Sequence, residues 1–429
     1  MNSSSVTFGA VREGKPQSSG RVRHVGMTLF LMSSLLVGSS IGPLESIERG
    51  SLRYWLLVSP AALLPLLNIS AIAHALGTRA GLLLLFLFTA GVWHLYQGDS
   101  RAVLQLGLLV LVLAWVSTDR AALNVRDLVW IYLMLVALGV GVNIFTDLNP
   151  YGLFPGQADR DFGSLRVSFF PNVANTGLLS LAMFLILTKD SETACAHPYA
   201  LATAIYFLVF SFLRSAFIGA VIYLVLRWWF GTYCAARPVR MFWTTILVAV
   251  GCITLIWFSS DILYRAQQLP FISMFLLKGE GHLTTDEIEY QQYRPWLWNE
   301  QFKLFATSPW LMGLGSYDFY AVVSSQLEDP DSRIISAGAE AMPTRLLTVY
   351  GVPGTLLTLY LVSCMRVRAR HDDRWACACF PALFLLMMSW GNAFHPTDAM
   401  FVLFLLIVTR GAAAFTATDI RGPPASRVQ

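Results

Sequence analysis

Charged residues are scarce in this chain. They make up 13% of its 429 residues, against about 25% in an average soluble domain. Hydrophobic residues make up 55%, and the mean hydropathy is +0.57. Apolar runs of about 17 residues or more recur, each long enough to cross a hydrocarbon core of about 30 Å. These features exclude a soluble globular protein and predict an all-α polytopic membrane protein.

Several chemical signatures are also missing. None of the six cysteines falls in the long polar stretch at 261–343, so no disulfide framework is expected. A phosphate-binding loop ending in Gly-Lys-Ser or Gly-Lys-Thr is absent, which argues against a nucleotide-driven pump. No zinc-type His/Glu spacing occurs either. We therefore expect no metal, no cofactor and no nucleic-acid partner.

Twelve apolar runs predict twelve transmembrane helices. The first run resembles a secretion signal, but no clear small-residue cleavage site follows it and many further runs do, so we keep it as a span. The predicted spans are Val25–Leu44, Trp55–Ala73, Ala80–Tyr96, Ala102–Ser117, Leu128–Phe145, Val173–Thr188, Tyr199–Leu213, Ser215–Phe230, Phe242–Ser260, Leu346–Met365, Ala376–Trp390 and Ala399–Phe415.

The distribution of basic residues predicts the orientation of these spans. With the N-terminal tail in the cytoplasm, the inner segments hold most of the 30 Lys and Arg residues, as the positive-inside rule requires. Both termini are then cytoplasmic. The predicted organisation is a tail at 1–26, nine spans within 27–260 with an outer loop at 147–172, a large outer loop at 261–343, three spans within 344–417, and a tail at 418–429.

Four arginines lie at the predicted outer face: Arg166, Arg214, Arg294 and Arg345. A charge at the edge of a membrane span is costly unless it is paired or solvated, so it marks a candidate functional residue. Guanidinium groups bind phosphate with two parallel hydrogen bonds and keep their charge. Arg214 is the sharpest candidate because no polar loop surrounds it. The alternatives are an arginine that reaches lipid headgroups and, for Arg166, simple solvation in its loop.

Glu340 is the candidate general base. It stands just before span ten, where partial removal from water would favour proton uptake, as a general base requires. The alternative is an acid that favours the positive end of a helix.

Polar and aromatic residues beside these charges are candidate substrate ligands. Tyr293, Trp296 and Trp298 flank Arg294, and their rings suit stacking on sugars or an interfacial aromatic belt. Asn172 precedes span six and suits either a substrate contact or a helix N-cap.

The first two of four outer-face segments carry a resemblance to a known family. In the first, Arg166-Val167-Ser168-Phe169-Phe170-Pro171-Asn172 is similar to an arginine, aromatic, Pro-Asn start of a span. Ten residues separate Arg166 from Gly177, similar to an Arg-x10-Gly pattern. In the second, Leu213-Arg214-Ser215-Ala216 is similar to a Ser-Arg-small turn, with leucine in place of the first serine.

The other two segments continue the resemblance in the same order. Tyr293-Arg294, Pro309 and Gly313-Leu314-Gly315 are similar to a loop with Arg, Trp, Pro and Gly-x-Gly. The segment from Glu340 to Gly351-Val352-Pro353-Gly354 is similar to one that begins with histidine in ligases. Together the four segments resemble the O-antigen ligase and Wzy-type polysaccharide polymerase superfamily. Glutamate at 340 in place of histidine favours a polymerase, and the length and twelve-span layout resemble those of the polymerase of a xanthan-type exopolysaccharide pathway.

The resemblance implies an inverting, metal-independent glycosyltransferase of a bacterial inner membrane, with its site on the periplasmic side. Its donor and acceptor would be oligosaccharides linked to undecaprenyl diphosphate, and membrane lipid, a chain-length co-polymerase and a flippase would be its partners. The arginines would hold the diphosphate, and Glu340 would take the proton of the attacking hydroxyl. Two alternatives stay open: a ligase-type glycan transferase, and a lipid-linked oligosaccharide flippase or other transporter.

Overall fold

A computed structural model describes most of the helical part of the chain. The described residues are 73, 77–78, 80–117, 123–146, 151–155, 166–170, 173–234, 237–258, 262, 265, 298–299, 301–315, 341–389 and 399–416. The predicted tails and the spans Val25–Leu44 and Trp55–Ala73 lie outside them, apart from Ala73.

The described part is almost entirely α-helical, with one short pair of strands. Its elements, in chain order, are α1 (Ala80–Tyr96), α2 (Ser100–Val116), β1 (Leu123–Asn124), α3 (Val125–Phe145), α4 (Val173–Leu187), α5 (Ser191–Ala196), α6 (Pro198–Phe210), α7 (Arg214–Tyr233), α8 (Pro238–Trp257), α9 (Met342–Arg370), α10 (Arg374–Ser389), α11 (Ala399–Arg410) and β2 (Phe415–Thr416). There are also two 3₁₀ turns, Pro309–Leu311 and Gly411–Ala414, and residues 301–307 are helical.

Four of these helices are long and apolar enough to cross a membrane. They are α3, α7, α8 and the part of α9 from Leu346 to Arg370. Apolar side chains occur on the outward faces as well as the buried ones: in α8, Ala249 and Cys252 are buried whereas Leu247 and Val250 are exposed. A helix that is apolar on all sides is typical of a membrane span. The fold is therefore that of a helical membrane protein.

A helix occupies each of the ten predicted spans from Ala80 onward, and the bounds of the first agree to the residue. Two differences concern the candidate site. The helix that replaces the predicted span Leu346–Met365 begins earlier and ends later, as Met342–Arg370. Arg214 was predicted in a tight turn, but it is the first residue of α7.

One end of the bundle is closed by the two strands, and we call it the strand end. Leu123 and Asn124 pair in parallel with Phe415 and Thr416. Beside them Lys189 Nζ donates to the carbonyl of Phe415. Because parallel strands need a long connection between them, this small pair joins distant parts of the chain.

Two arginines at the strand end satisfy the carbonyls with which helices finish. Arg227 donates to the carbonyls of Thr188 and Lys189, the latter at 2.9 Å. Arg368 Nη1 donates to the carbonyl of Arg410 at 2.9 Å. The last carbonyls of a helix have no partner within it, and basic side chains also complement the negative end of its dipole. These contacts fix the ends of α4 and α11.

Helix α10 lies at the centre of the bundle and packs against α7, α8, α9 and α11. All but one residue from Trp375 to Ser389 is buried. The indole of Trp375 donates to the carbonyl of Leu185 in α4 at 2.9 Å. Since α10 contacts both α7 and α9, it joins the two parts of the candidate site described next.

Candidate functional site

Every predicted outer-face segment that the structure describes lies away from the strands, at what we call the opposite end. Arg166 and the start of α7 are there, as are the glycine segment 313–315 and the start of α9. The described helices alternate in direction between the two ends. The segments that the sequence groups on one face are thus grouped in space.

Residues 166–170 are fixed by hydrogen bonds on both sides. Val167 N donates to the carbonyl of Phe210 at 2.9 Å, and Ser168 N donates to that of Gly152 at 3.2 Å. The buried hydroxyl of Ser168 lies 2.7 Å from that of Thr176 in α4. These contacts fix the backbone of the segment that carries Arg166.

Aromatic packing also holds residues 166–170 in place. Phe169 is fully buried, and its ring meets that of Phe207 edge-on, with centroids 4.7 Å apart. It also meets Tyr132 of α3 at 6.1 Å. Such pairs contribute about 0.5–1.5 kcal/mol beyond the area they bury. The Arg166 segment therefore belongs to the core although it is not helical.

Arg214 is placed by a turn that has little freedom. Phe212, two residues earlier, has φ +50°, a conformation that is rare for a bulky side chain. Gly177 of α4 faces this turn, and a Cβ added to it would lie 2.8 Å from Leu213 Cβ and 2.9 Å from Ser211 Oγ. Only glycine allows the turn to pack so closely on α4. Gly177, separated from Arg166 by ten residues, thus positions the helix that begins with Arg214.

The two described arginines are connected through one short segment. Val167 follows Arg166 and bonds to Phe210, which stands four residues before Arg214. Both arginine side chains are half-buried. The Nε atom of Arg166 is buried and has no hydrogen-bond partner among the described residues. Arg214 is the first residue of α7, and the N-terminus of a helix carries partial positive charge.

The glycine segment 313–315 is bonded to α9 where that helix is broken. Gly351 has φ +65° and ψ −145°, and Pro353 has no N–H to offer the carbonyl four residues earlier, Val349. The segment supplies the missing donor: Gly315 N donates to the carbonyl of Val349 at 3.0 Å. Leu314 N likewise donates to the carbonyl of Thr348 at 2.8 Å. Leu314 and Gly315 therefore supply hydrogen-bond donors to α9 at its break.

His94 and Asp99 lie under this contact, and sequence reasoning missed both. His94, at the end of α1, is 2% exposed, and a Cβ added to Gly315 would lie 3.0 Å from its Nδ1 atom. Asp99 Oδ1 accepts from Ala102 N at 3.0 Å and caps α2, while Oδ2 faces Gly315. An aspartate before an apolar helical run is a recognisable cap signal, but nothing local in the sequence relates it to Gly315.

Trp298 is buried rather than displayed to solvent. It is 4% exposed and packs with Ala341 and with residues of α8 and α10. Gln301, 1% exposed, bonds through Oε1 to the hydroxyl of Thr344, and its carbonyl accepts from Thr348 at 3.2 Å. These contacts place Trp298 and Gln301 against the first residues of the segment that follows Glu340 in the sequence.

Two buried N–H donors in this cluster have no hydrogen-bond partner among the described residues. They are Trp298 Nε1 and Gln301 Nε2. Buried donors are paired in the great majority of cases.

The remaining predicted site residues lie outside the described residues. These are Asn172, Tyr293, Arg294, Trp296 and Glu340; for Arg345 the backbone is described in α9 but the side chain is not. Their assignments stay predictions. Among the described residues, no group of three or more His, Cys, Asp or Glu side chains suits a metal ion.

Comparisons with known proteins add no relative. No family model matches the chain, and no curated protein or solved structure does. The opposite end brings together the Arg166 and Arg214 segments and, near the break in α9, two buried N–H donors.

Proposed function

We propose that the protein is a polysaccharide polymerase that joins oligosaccharide repeat units linked to polyprenyl diphosphate. In this proposal twelve helices span a bacterial inner membrane, both termini are cytoplasmic, and the opposite end faces the periplasm. The large outer loop between spans nine and ten covers the site. Exopolysaccharide or O-antigen repeat units are both donor and acceptor.

One observation carries the proposal: the four segments with the family resemblance contact one another in pairs. The Arg166 segment bonds to the turn before Arg214, and Gly177 accommodates that turn. The glycine segment 313–315 bonds to the break in α9. Segments that are far apart in the sequence supply these contacts, and α10 packs against the helices that carry both pairs.

The chemistry of the site fits transfer from a diphosphate. Arginines can hold the diphosphate and stabilise the charge that develops on it as it leaves. We assign this role to Arg166, Arg214, Arg294 and Arg345. The bond between the anomeric carbon and the diphosphate oxygen breaks as the acceptor hydroxyl attacks, and Glu340 takes the proton of that hydroxyl.

The acceptor side of the site rests on the aromatic residues and the buried donors. We assign Tyr293, Trp296 and Asn172 to the sugar. The buried position of Trp298 gives it a hydrogen-bonding role through Nε1 instead of ring stacking. Because the proposed donor is a lipid, it reaches the site from the bilayer. A membrane bundle permits that path.

The test is polymerisation in vitro by the full chain in nanodiscs. Purified protein receives lipid-diphosphate repeat units, and the products are separated by size. We expect a ladder from the wild type and none from Glu340→Gln, Arg214→Ala or Arg294→Ala. Arg240→Ala, an exposed arginine at the strand end, is the matched control and keeps the ladder.

The other outcomes are equally informative. A ladder from Glu340→Gln would keep the polymerase and remove Glu340 from the chemistry. Transfer of a single unit to a lipid or protein acceptor, without a ladder, would identify a ligase. A folded wild type that makes no product but moves lipid-linked glycan across the membrane would overturn the proposal in favour of a flippase.

A further inference from the structure

A cavity of about 170 Å³ opens at the strand end, far from the candidate site. It lies between the start of α1 and the last turn of α11, with α2 and the second half of α9 completing its wall. Its polar lining includes Arg368, Arg410, Ser117, Tyr360 and Ser363. Drug-sized ligands occupy pockets of about 300–1,000 Å³. This cavity therefore suits one small group.

The charge of the lining has one sign. Two arginines face the cavity, and no aspartate or glutamate is among its lining residues. Thr78 and Ala80 place the N-terminus of α1 at the wall, and a helix N-terminus adds partial positive charge and N–H donors. The cavity is thus electropositive from several independent elements.

Arg368 is one of the lining residues of this cavity. Its Nη1 donates to the carbonyl of Arg410, which holds the guanidinium in place, whereas its buried Nε has no hydrogen-bond partner among the described residues. Neither ion pair between described residues includes it. The nearby Asp373 uses its two oxygens to accept from Ala376 N and Ala412 N, each at 3.0 Å.

The hydroxyl groups of the lining are committed to their own helices. Ser117 Oγ donates to the carbonyl of Leu113, Ser363 Oγ to that of Tyr360, and Thr409 Oγ1 to that of Leu405. They shape the cavity and leave binding to the guanidinium of Arg368. Ser363 is exposed, so the cavity is reached from outside at that residue.

We propose that this cavity binds an anionic phosphate group, carried by a lipid headgroup or by a free phosphate. A guanidinium group matches the oxygens of phosphate. If the apolar helices span the bilayer, the strand end lies at headgroup level, where basic pockets between helices take anionic lipids. The site is independent of the proposed glycosyl transfer, which takes place at the opposite end.

The test measures lipid retention and phosphate binding by the full chain. Detergent-purified protein is incubated with phosphatidylglycerol or with phosphatidylcholine, and native mass spectrometry counts the lipids that remain bound. In a second arm, inorganic phosphate is added and the shift of the thermal unfolding midpoint is recorded. Both arms compare the wild type with Arg368→Gln and with Arg370→Gln, an exposed arginine two residues further along the same helix.

We expect Arg368→Gln to lower retention of phosphatidylglycerol by about tenfold, since a charge-assisted hydrogen bond is removed, while Arg370→Gln leaves it unchanged. That result with no phosphate-induced shift assigns the site to lipid. A phosphate-induced shift that depends on Arg368, without lipid retention, assigns it to free phosphate. Equal losses in both variants, or no dependence on Arg368 in either arm, would overturn the proposal.

A second variant keeps the proposal testable if Arg368→Gln fails to fold. Ser363→Trp fills the mouth of the cavity and leaves both arginines in place. We expect it to reduce the same binding as Arg368→Gln. Undiminished binding in Ser363→Trp would place the ligand elsewhere and overturn the proposal.

Discussion

The break in α9 at Gly351 offers a quantitative test of how the candidate site is held together. Its φ of +65° and ψ of −145° lie in a region that essentially only glycine adopts. A Cβ at this position would come within 2.6 Å of Gly313 N. Gly351→Ala therefore adds backbone strain and a clash with the segment that bonds to α9.

The size of the effect follows from the added strain and from the hydrogen bonds that break. The strain costs about 1–3 kcal/mol. Relief of the clash separates the segment from α9 and breaks the bonds from Leu314 N and Gly315 N, each worth about 0.5–1.5 kcal/mol. The segment then opens more easily by about 2–6 kcal/mol. Since about 1.4 kcal/mol corresponds to a factor of ten, amide exchange at 314 and 315 accelerates by about 30-fold or more.

The assay is hydrogen exchange of the protein in nanodiscs, followed by mass spectrometry of peptides that cover 309–315. Gly91→Ala is the matched control, because a Cβ at Gly91 in α1 meets nothing within 4 Å. There the change from glycine to alanine in a helix stabilises by up to about 1 kcal/mol. Equal exchange at 309–315 in Gly351→Ala and the wild type would refute the reasoning.

Three further predictions use the thermal unfolding midpoint. Trp298→Ala removes a buried ring and costs about 3–5 kcal/mol, whereas Trp310→Ala, 83% exposed in the wild type, costs little; equal midpoints would contradict the burial. Arg227→Gln leaves the carbonyls that end α4 without their donors, at a cost of about 1–3 kcal/mol, and the exposed Arg240→Gln is its control; an unchanged midpoint in Arg227→Gln would show that water replaces the guanidinium. For Asp190, burial raises the pKa, but hydrogen bonds from Thr193 and the Lys189 charge outweigh it and lower the pKa overall. The stability that Asp190 contributes is thus fully present above its unfolded pKa of about 3.9 and is lost as the pH falls through the lower folded pKa. Asp190→Asn should therefore flatten the acid side of the profile of unfolding midpoint against pH. Parallel profiles would contradict this.

The helices could be predicted from the sequence, and the reason is physical. A span must be apolar wherever it meets lipid or core, so runs such as Ala80–Tyr96 stand out by composition alone. The break in α9 could not be predicted in the same way. A proline within an apolar run is compatible with a continuous span, and the donors that satisfy the freed carbonyls of Thr348 and Val349 come from a segment more than thirty positions earlier.

In the candidate site, too, some features could be predicted from the sequence and others depend on tertiary contacts. Arg166 and Arg214 could be found because charge is conspicuous beside apolar runs, and the structure places their segments in contact. Gly177 was noticed for its spacing, while its role in accommodating the Ser211–Leu213 turn depends on packing between helices. The burial of Trp298 depends on α8 and α10, which no local pattern reports.

The parallel pairing of β1 with β2 has a consequence for the order in which the protein is built. The hydroxyl of Thr416 lies within reach of the carbonyl of Leu123, 293 positions earlier. A ribosome delivers residues in order, and N-terminal units fold first. The two strands can pair only after every helix between them has been inserted. Until then the strand end of the earlier helices is incomplete. A chain that stops before Phe415 leaves the strand end exposed to cellular quality control.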